Sequence, residues 1–374
     1  MPRRGENIYK RKDGRWEGRM AKPGGGYRYV YGKSYKEVRE KKKHYLESPL
    51  AHAPKTNGAI SGAADLFGHW LESDVLGRVK PSTYESYYWC IRKYVIPFFR
   101  DTATDRITEF YVEQFAKSIY ANDVLTPAYK KKILSVFKVA LGEILKDSDH
   151  LRPILKNIGL PHIDNPAVQV FSVQEQRRIE TEVLKMNDKR ALGVFLCFYT
   201  GIRLGELCAL KWENIDFEAK TVSIVKTVSR TKNFAENGNK TILITGTPKS
   251  QNSTRKIPIP DFLLSLTCKL KNAAKAESNY ILSGSDTSID PRTYQRLFKR
   301  ILVSAGVKDR KFHAIRHTFA TRALEAGVDI KTLSEILGHS SVIITLKVYA
   351  HSLMEQKIAA INKLNNLYII AHPG

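Results

Sequence analysis

Near the start of the chain apolar and polar residues alternate with a period of two, and further on the period lengthens to three and four. Ile8 to Lys10, Trp16 to Arg19 and Tyr27 to Tyr31 predict three short strands. Lys12-Asp13-Gly14 and Gly24-Gly25-Gly26 separate them, and their glycines supply positive-φ turns. Ser34 to Leu46 opens on a candidate N-cap and sets Tyr35, Val38, Lys42 and Tyr45 at helical spacing, enough to cover one face of the sheet. Glu47 to Gly62 is rich in Pro, Ala, Gly and Ser and has no apolar period, which predicts a linker.

Four amphipathic helices follow, over Ala63 to Ser73, Ser82 to Tyr94, Thr108 to Tyr120 and Thr126 to Lys146. Ser82 and Thr126 are the expected caps, with Pro81 just before the first and Pro127 at the first helical position of the second. Pro161 to Val168 predicts a second linker. Beyond it, Val222 to Val228, Thr241 to Thr245 and Arg255 to Pro258 are β-branched strand candidates. Thr293 to Ser304, Ala314 to Ala326 and Ile330 to Leu337 have helical patterns, and Lys232 to Lys240 reads as an extended hairpin loop. The expected fold class is therefore multidomain α+β. It comprises a three-stranded sheet with one helix over residues 1–50, an all-α domain over 59–160, and a mixed, mainly α domain with a small antiparallel sheet over 166–374. No tandem repeat or heptad array competes with this division.

Charge narrows the partner. The chain of 374 residues carries a net +24, and residues 1–50 hold 15 Lys/Arg against 6 Asp/Glu, a field that attracts polyanions such as nucleic acid or an anionic membrane surface. The helical stretch 59–165 is nearly balanced, 14 basic against 13 acidic, so any grip on DNA there requires clustering on one face. The longest apolar run, Ala191 to Tyr199, is too short to cross a bilayer, and no apolar stretch follows the basic residues Met1 to Lys12. A cytoplasmic protein without membrane insertion or a secretory signal is expected. Cys90, Cys197, Cys208 and Cys268 lack paired metal-ligand spacing and are expected to be structural.

The candidate chemistry lies in the last domain. In Thr200-Gly201-Ile202-Arg203-Leu204-Gly205-Glu206-Leu207, an Arg beside two glycines can present its guanidinium fork to a cleft, or merely pair with Glu206 three residues on. Lys249 stands at a polar turn before the strand Arg255 to Pro258, where a solvated surface lysine is the plainer alternative. His313-Ala314-Ile315-Arg316-His317 places two histidines four apart as in a zinc protease, but Ala314 stands where such a site needs its glutamate, and Arg316 would repel a metal. Gly338 can end a helix so that His339 turns back toward a cleft, with Tyr349 ten residues later on a new element. Taken singly, each of these residues has an ordinary structural explanation.

Their order is more specific. TGIRLGEL, TPKSQNSTRKIPIP, HAIRHTFATRALEAG, LGHSS and VYAH closely resemble the motifs of the tyrosine recombinase, or phage integrase, family. The basic module IYKRKDGRWEGR is similar to the arm-site DNA-binding domain of integrases from phages and conjugative transposons, and the helical middle to their core-binding domain. The resemblance implies a catalytic set of Arg203, Lys249, His313, Arg316, His339 and Tyr349. Arg203 and Arg316 would clamp the scissile phosphate, His339 would add a donor, His313 would assist proton transfer, Lys249 would protonate the leaving 5′-oxygen and Tyr349 would attack. Glu206 is expected to orient Arg203, with His317 and His351 outside the set. The implied reaction is site-specific recombination through a 3′-phosphotyrosine, with no cofactor, metal or ATP. The implied partners are double-stranded DNA at core and arm sites, a homotetramer on two DNA sites and a directionality factor. The tail from Met354 to Ile370 sets Ile358, Ile361, Leu364 and Tyr368 on one helical stripe, which in a lone domain is usually core; the resemblance implies instead that it packs on a neighbouring protomer. A non-enzymatic DNA-binding regulator, a topoisomerase using the same phosphotyrosine and a chromosome-dimer recombinase are the competing readings.

Overall fold

A computed structural model describes residues 7–11, 13–21, 27–47, 62–104, 107–146, 155, 158–163, 168–186, 188–234, 240–248, 251–272, 279–346, 348–349, 358 and 361–362. The chain divides into two compact units, Met1–Asp164 with Thr231–Ile242, and Asn165–Arg230 with Leu243–Gly374.

The first unit opens with an antiparallel sheet in the order β1 (Ile8–Lys10), β2 (Trp16–Ala21), β3 (Tyr27–Gly32), followed by helix α1 (Tyr35–Glu47). Alternation sends Ile8 and Met20 inward, where Val38 of α1 is fully buried. The helix lies so close that a Cβ on Gly18 would stand 2.6 Å from a Val38 methyl. The outward face is aromatic and cationic. Tyr9, Tyr29 and Tyr31 are exposed, Arg19 lies over the Tyr9 and Tyr29 rings, and Arg11 and Arg15 lie over Tyr31.

Helices α2 (Ala63–His69), α3 (Pro81–Cys90), α4 (Glu109–Tyr120) and α5 (Pro127–Ile144) build the rest of this unit. α2 widens into a π-helical turn over Trp70–Val75, and α3 continues through a similar turn at Ile91–Val95 into Ile96–Phe98. Phe67, Phe99, Phe115 and Phe137 close the core, with the last two rings 4.4 Å apart. Thr126 caps α5 by accepting from Tyr129 N. Ser82 does not cap α3: Lys80 holds the cap position and Pro81 opens the helix, where its missing N–H has no intrahelical partner to lose. The hairpin loop expected from Lys232 onward is tied down here. The Phe234 ring packs against Tyr84 and Tyr88 at 4.8 and 4.9 Å, and the Lys232 ammonium sits 4.0 Å from the Tyr88 ring centre.

The second unit begins with α6 (Val173–Lys185), capped reciprocally by Ser172 and Glu175, then α7 (Gly193–Thr200) and α8 (Leu204–Cys208). α7 carries Val194, Leu196, Cys197 and Phe198 buried on several sides, so its sequence has no polar stripe. Strands β4 (Ile215–Asp216), β5 (Thr221–Ile224) and β8 (Arg255–Pro258) form an antiparallel sheet in the order β4-β5-β8, and β6 (Thr227–Lys232) pairs with β7 (Thr241–Gly246). The single apolar run expected over Val222 to Val228 is thus split between β5 and β6, with Val225 exposed between them. Helices α9 (Asp261–Asn272), α10 (Pro291–Ser304), α11 (His313–Glu325) and α12 (Ile330–Leu337) complete the unit. Cys90, Cys197 and Cys208 are buried, whereas Cys268 is exposed. Of the C-terminal stripe, Ile358 and Ile361 are exposed; Leu364 and Tyr368 lie outside the described residues. Among the described residues no helix is long and apolar enough to cross a membrane.

Candidate active site

The site is organised by the C-terminal end of α12. A helix end leaves carbonyls without intrahelical partners and carries partial negative charge. Gly338 stops α12 in the left-handed conformation, φ +64°. Three arginines from three elements then donate to the last carbonyls. Arg255 of β8 reaches Ile336 O, Arg316 of α11 reaches Leu337 O at 2.7 Å, and Arg203 reaches Gly338 O at 3.1 Å. The helix end thus draws together guanidiniums that would otherwise repel one another.

Each arginine is fixed a second time. Arg203 is the N-cap residue of α8; its Nη1 donates to Glu206 Oε1 at 2.8 Å and its backbone N–H to Glu206 Oε2 at 2.9 Å. Glu206 also receives Arg255 at 3.2 and 3.0 Å, with both side chains buried. Burial pushes the Glu206 pKa up, but the hydrogen bonds and charge of Arg255, with those of Arg203, bring it below the ordinary value. Arg316 Nη1 donates to Gly201 O at 2.7 Å. That carbonyl is available because Gly201 leaves α7 at φ +65°, and a Cβ there would meet the Phe319 ring at 2.4 Å. Gly205 is equally confined, since a Cβ would stand 2.6 Å from Val228 O of β6.

Burial, then the Arg203 charge, disfavours the Arg316 cation. Because a guanidinium keeps its proton in proteins, this pressure is relieved by an anion rather than by deprotonation. His339, directly after Gly338, is half-buried, and its Nδ1 lies 2.8 Å from Thr345 Oγ1. Burial, with the charges of Arg316, Arg203 and Arg255, lowers its pKa to about 4. The His313 ring reaches solvent, yet the protein packed on its inner side, then His317, Arg316 and Arg203, lower its pKa to about 4. Tyr349 is buried against Ala320, Leu324, Leu333 and Leu337, and burial pushes its phenol up to about 12 against the pull of Arg316.

The structure therefore brings Arg203 and Arg316 to one helix end with His339 beside it. Lys249 lies outside the described residues, as does His351. Two residues that touch these groups have no place in the set implied by the sequence. Arg255 sits within TRKIPIP as one basic residue before a strand. His317, left outside the catalytic set, is the ring that contacts the phenol: its Nδ1 is 2.8 Å from Tyr349 Oη, and it also stands edge-to-face with His313 at 4.7 Å. The only signal for His317 was its position four residues after His313 on one helix face, which a zinc-site test uses differently.

Comparison with known proteins places the chain in a family. The Phage integrase family matches residues 173–356, and the phage integrase N-terminal SAM-like domain matches residues 64–120. A protein from Caldanaerobacter subterraneus subsp. tengcongensis named tyrosine recombinase XerC-like is 32% identical over 370 residues, covering 91% of each chain. Among solved structures, the Tn1549 transposon integrase with circular intermediate DNA superposes with TM-score 0.65 at 21% identity, covering 81% of this chain and 99% of its own. A lambda integrase tetramer on a Holliday junction gives TM-score 0.56 at 18% identity, covering 93% and 96%. With the two domain matches in sequence order and a relative aligned along nine-tenths of its length, the protein belongs to the phage integrase family and is a tyrosine site-specific DNA recombinase.

Proposed function

We propose that the protein integrates and excises a mobile genetic element in the cytoplasm, cutting and rejoining DNA through a 3′-phosphotyrosine on Tyr349. The observation that carries this reading is the meeting of Arg203, Arg316 and His339 at the end of α12. Phosphodiester attack builds negative charge on non-bridging oxygens, and two fixed guanidiniums with a neighbouring imidazole answer that charge. His339 Nδ1 lies 2.8 Å from Thr345 Oγ1; in the tautomer the reaction needs, the hydroxyl donates to Nδ1 and the ring proton on Nε2 would donate to the phosphate.

The phenol oxygen of Tyr349 bonds to phosphorus while the bond to O5′ breaks. The phenol proton passes to a base, and Lys249 protonates the departing oxygen. A 5′-hydroxyl from a partner strand then reverses the step, so no ATP is consumed. His313, at the mouth of the site, would assist proton transfer. Residues 1–50 would bind arm sites, with the Tyr9, Tyr29 and Tyr31 face and its stacked arginines suited to nucleic acid. Residues 59–160 would embrace the core site and 166–374 carry catalysis. Bivalent binding of this kind bridges distant sites, which favours a mobile-element role over a chromosome-dimer recombinase. The Tn1549 relative is a transposon integrase, and the lambda relative is a tetramer on a Holliday junction. A tetramer on two DNA sites, steered by a directionality factor, is the corresponding assembly here.

The test is a duplex nicked near the crossover and carrying the element's own ends, incubated in EDTA and run on a denaturing gel. Wild type is expected to trap a covalent adduct, and Tyr349→Phe to bind without trapping. Tight binding with no wild-type adduct would favour the regulator reading, and adducts without strand exchange between duplexes would favour the topoisomerase.

A further inference from the structure

Resting on the phosphotyrosine reading above, we infer that His317 is the catalytic base that positions the Tyr349 phenol and accepts its proton as the oxygen attacks phosphorus. The contact is direct, His317 Nδ1 to Tyr349 Oη at 2.8 Å, a distance at which a proton moves along the bond. A phenol is the stronger donor and an imidazole nitrogen the stronger acceptor, so the bond is polarised O–H···N, with the ring's own proton on Nε2.

Its surroundings suit that role. His317 is half-buried on α11, one residue after Arg316, and burial together with the Arg316 charge keeps the ring neutral, its lone pair free to receive a proton. Tyr349 is buried, so its proton has little water to leave to. During attack the phenol oxygen forms its bond to phosphorus, the O–H bond breaks and His317 becomes an imidazolium. The negative charge gathered on the phosphate beside Arg316 stabilises that cation. The edge-to-face His313 ring, 4.7 Å away, holds the imidazole plane toward the phenol. In the rejoining step the same proton returns to the phenol oxygen as the P–O bond to Tyr349 breaks, so His317 is restored after each exchange.

The experiment compares His317→Asn with wild type in single-turnover adduct formation on the nicked duplex, each carrying either tyrosine or a fluorinated, more acidic tyrosine at position 349. Asn retains an acceptor near the Nδ1 position but is not a base. With native tyrosine its cleavage should fall by about 10²-fold or more. The acidic phenol, which needs less help to ionise, should recover at least about tenfold of that loss while changing wild type little. A second substrate, with sulfur replacing the bridging 5′-oxygen, removes the need for leaving-group protonation, and it should leave the His317→Asn loss in place. Should His317→Asn fold poorly by circular dichroism, His317→Ala is assayed the same way. Cleavage by the variant within about threefold of wild type, or a loss that the acidic phenol does not reduce, overturns the assignment while wild-type adducts keep the recombinase reading. Absence of an adduct from wild type itself overturns both.

Discussion

Arg203 and Arg316 donate to consecutive carbonyls, those of Gly338 and Leu337, at the end of α12. The two guanidiniums come from distant parts of the chain and are each held by protein groups, so the phosphate of the proposed reaction would meet donors already in place. Preorganisation of this kind removes the reorganisation cost at the moment of attack. It also links the arginines to His339, since the residue that ends the helix is its immediate neighbour.

Arg203→Lys keeps the charge but loses the planar fork that serves Glu206 and Gly338 and, in the proposed reaction, would also serve a phosphate. Adduct formation on the nicked duplex should fall by about 10²- to 10³-fold, the cost of one transition-state donor. DNA affinity measured by gel shift should change far less, because other cations supply most of it. Loss of binding in proportion to loss of cleavage would count against a transition-state role.

Arg255→Ala leaves Glu206 buried with only Arg203 to answer it, so stability should fall, by less than the about 3–5 kcal/mol that a wholly uncompensated buried charge costs. Urea unfolding of the full chain should report that loss. The Glu206 carboxyl has a folded pKa below its unfolded value, so its contribution is present above the ordinary carboxylate range and disappears as pH falls through the folded pKa. Acid titration of Glu206→Gln should therefore give a flatter stability profile below about pH 4 than wild type. An unchanged slope would mean that the carboxylate contributes no pH-linked stability.

Gly201→Ala asks an L-residue to adopt φ +65° with its Cβ 2.4 Å from the Phe319 ring. The loss should exceed about 1 kcal/mol, and because Gly201 O receives Arg316, cleavage should fall alongside the melting temperature. Gly246→Ala, where a Cβ meets nothing within 4 Å, is the control that should melt like wild type.

Phe234 and Tyr88 form an edge-to-face pair topped by Lys232. A double-mutant cycle of Phe234→Leu and Tyr88→Leu, followed by urea unfolding, should give a coupling of about 1 kcal/mol. Strict additivity would mean that the contact between Phe234 and Tyr88 adds nothing to stability.

Local chemistry explains why so much was legible from residue order. Alternation in IYK, WEGR and YRYVY marks strands because side chains point to opposite faces, and the Thr126-Pro127 pair marks a helix start because both residues act within one turn. The Ser82 cap misled because Pro81 is compatible with opening the helix itself, and the apolar pattern does not distinguish a first turn from a cap. The run Val222 to Val228 hid a break between two strands, since β-branched residues suit both strands and the exposed turn between them.

The sequence by itself determined the strand and helix periods, the cationic surplus, and the order Arg203, Lys249, His313, Arg316, His339, Tyr349, because each depends on residue type and near-neighbour spacing. Only the tertiary structure decided which groups meet. Arg203, Arg255 and Arg316 reach one helix end across sequence separations of 135, 81 and 21 residues, and His317 finds the Tyr349 phenol 32 residues away. Hydrogen bonds of that kind depend on the packing of α11, α12 and β8 against one another, and a buried guanidinium or imidazole looks no different in one dimension from a solvated one.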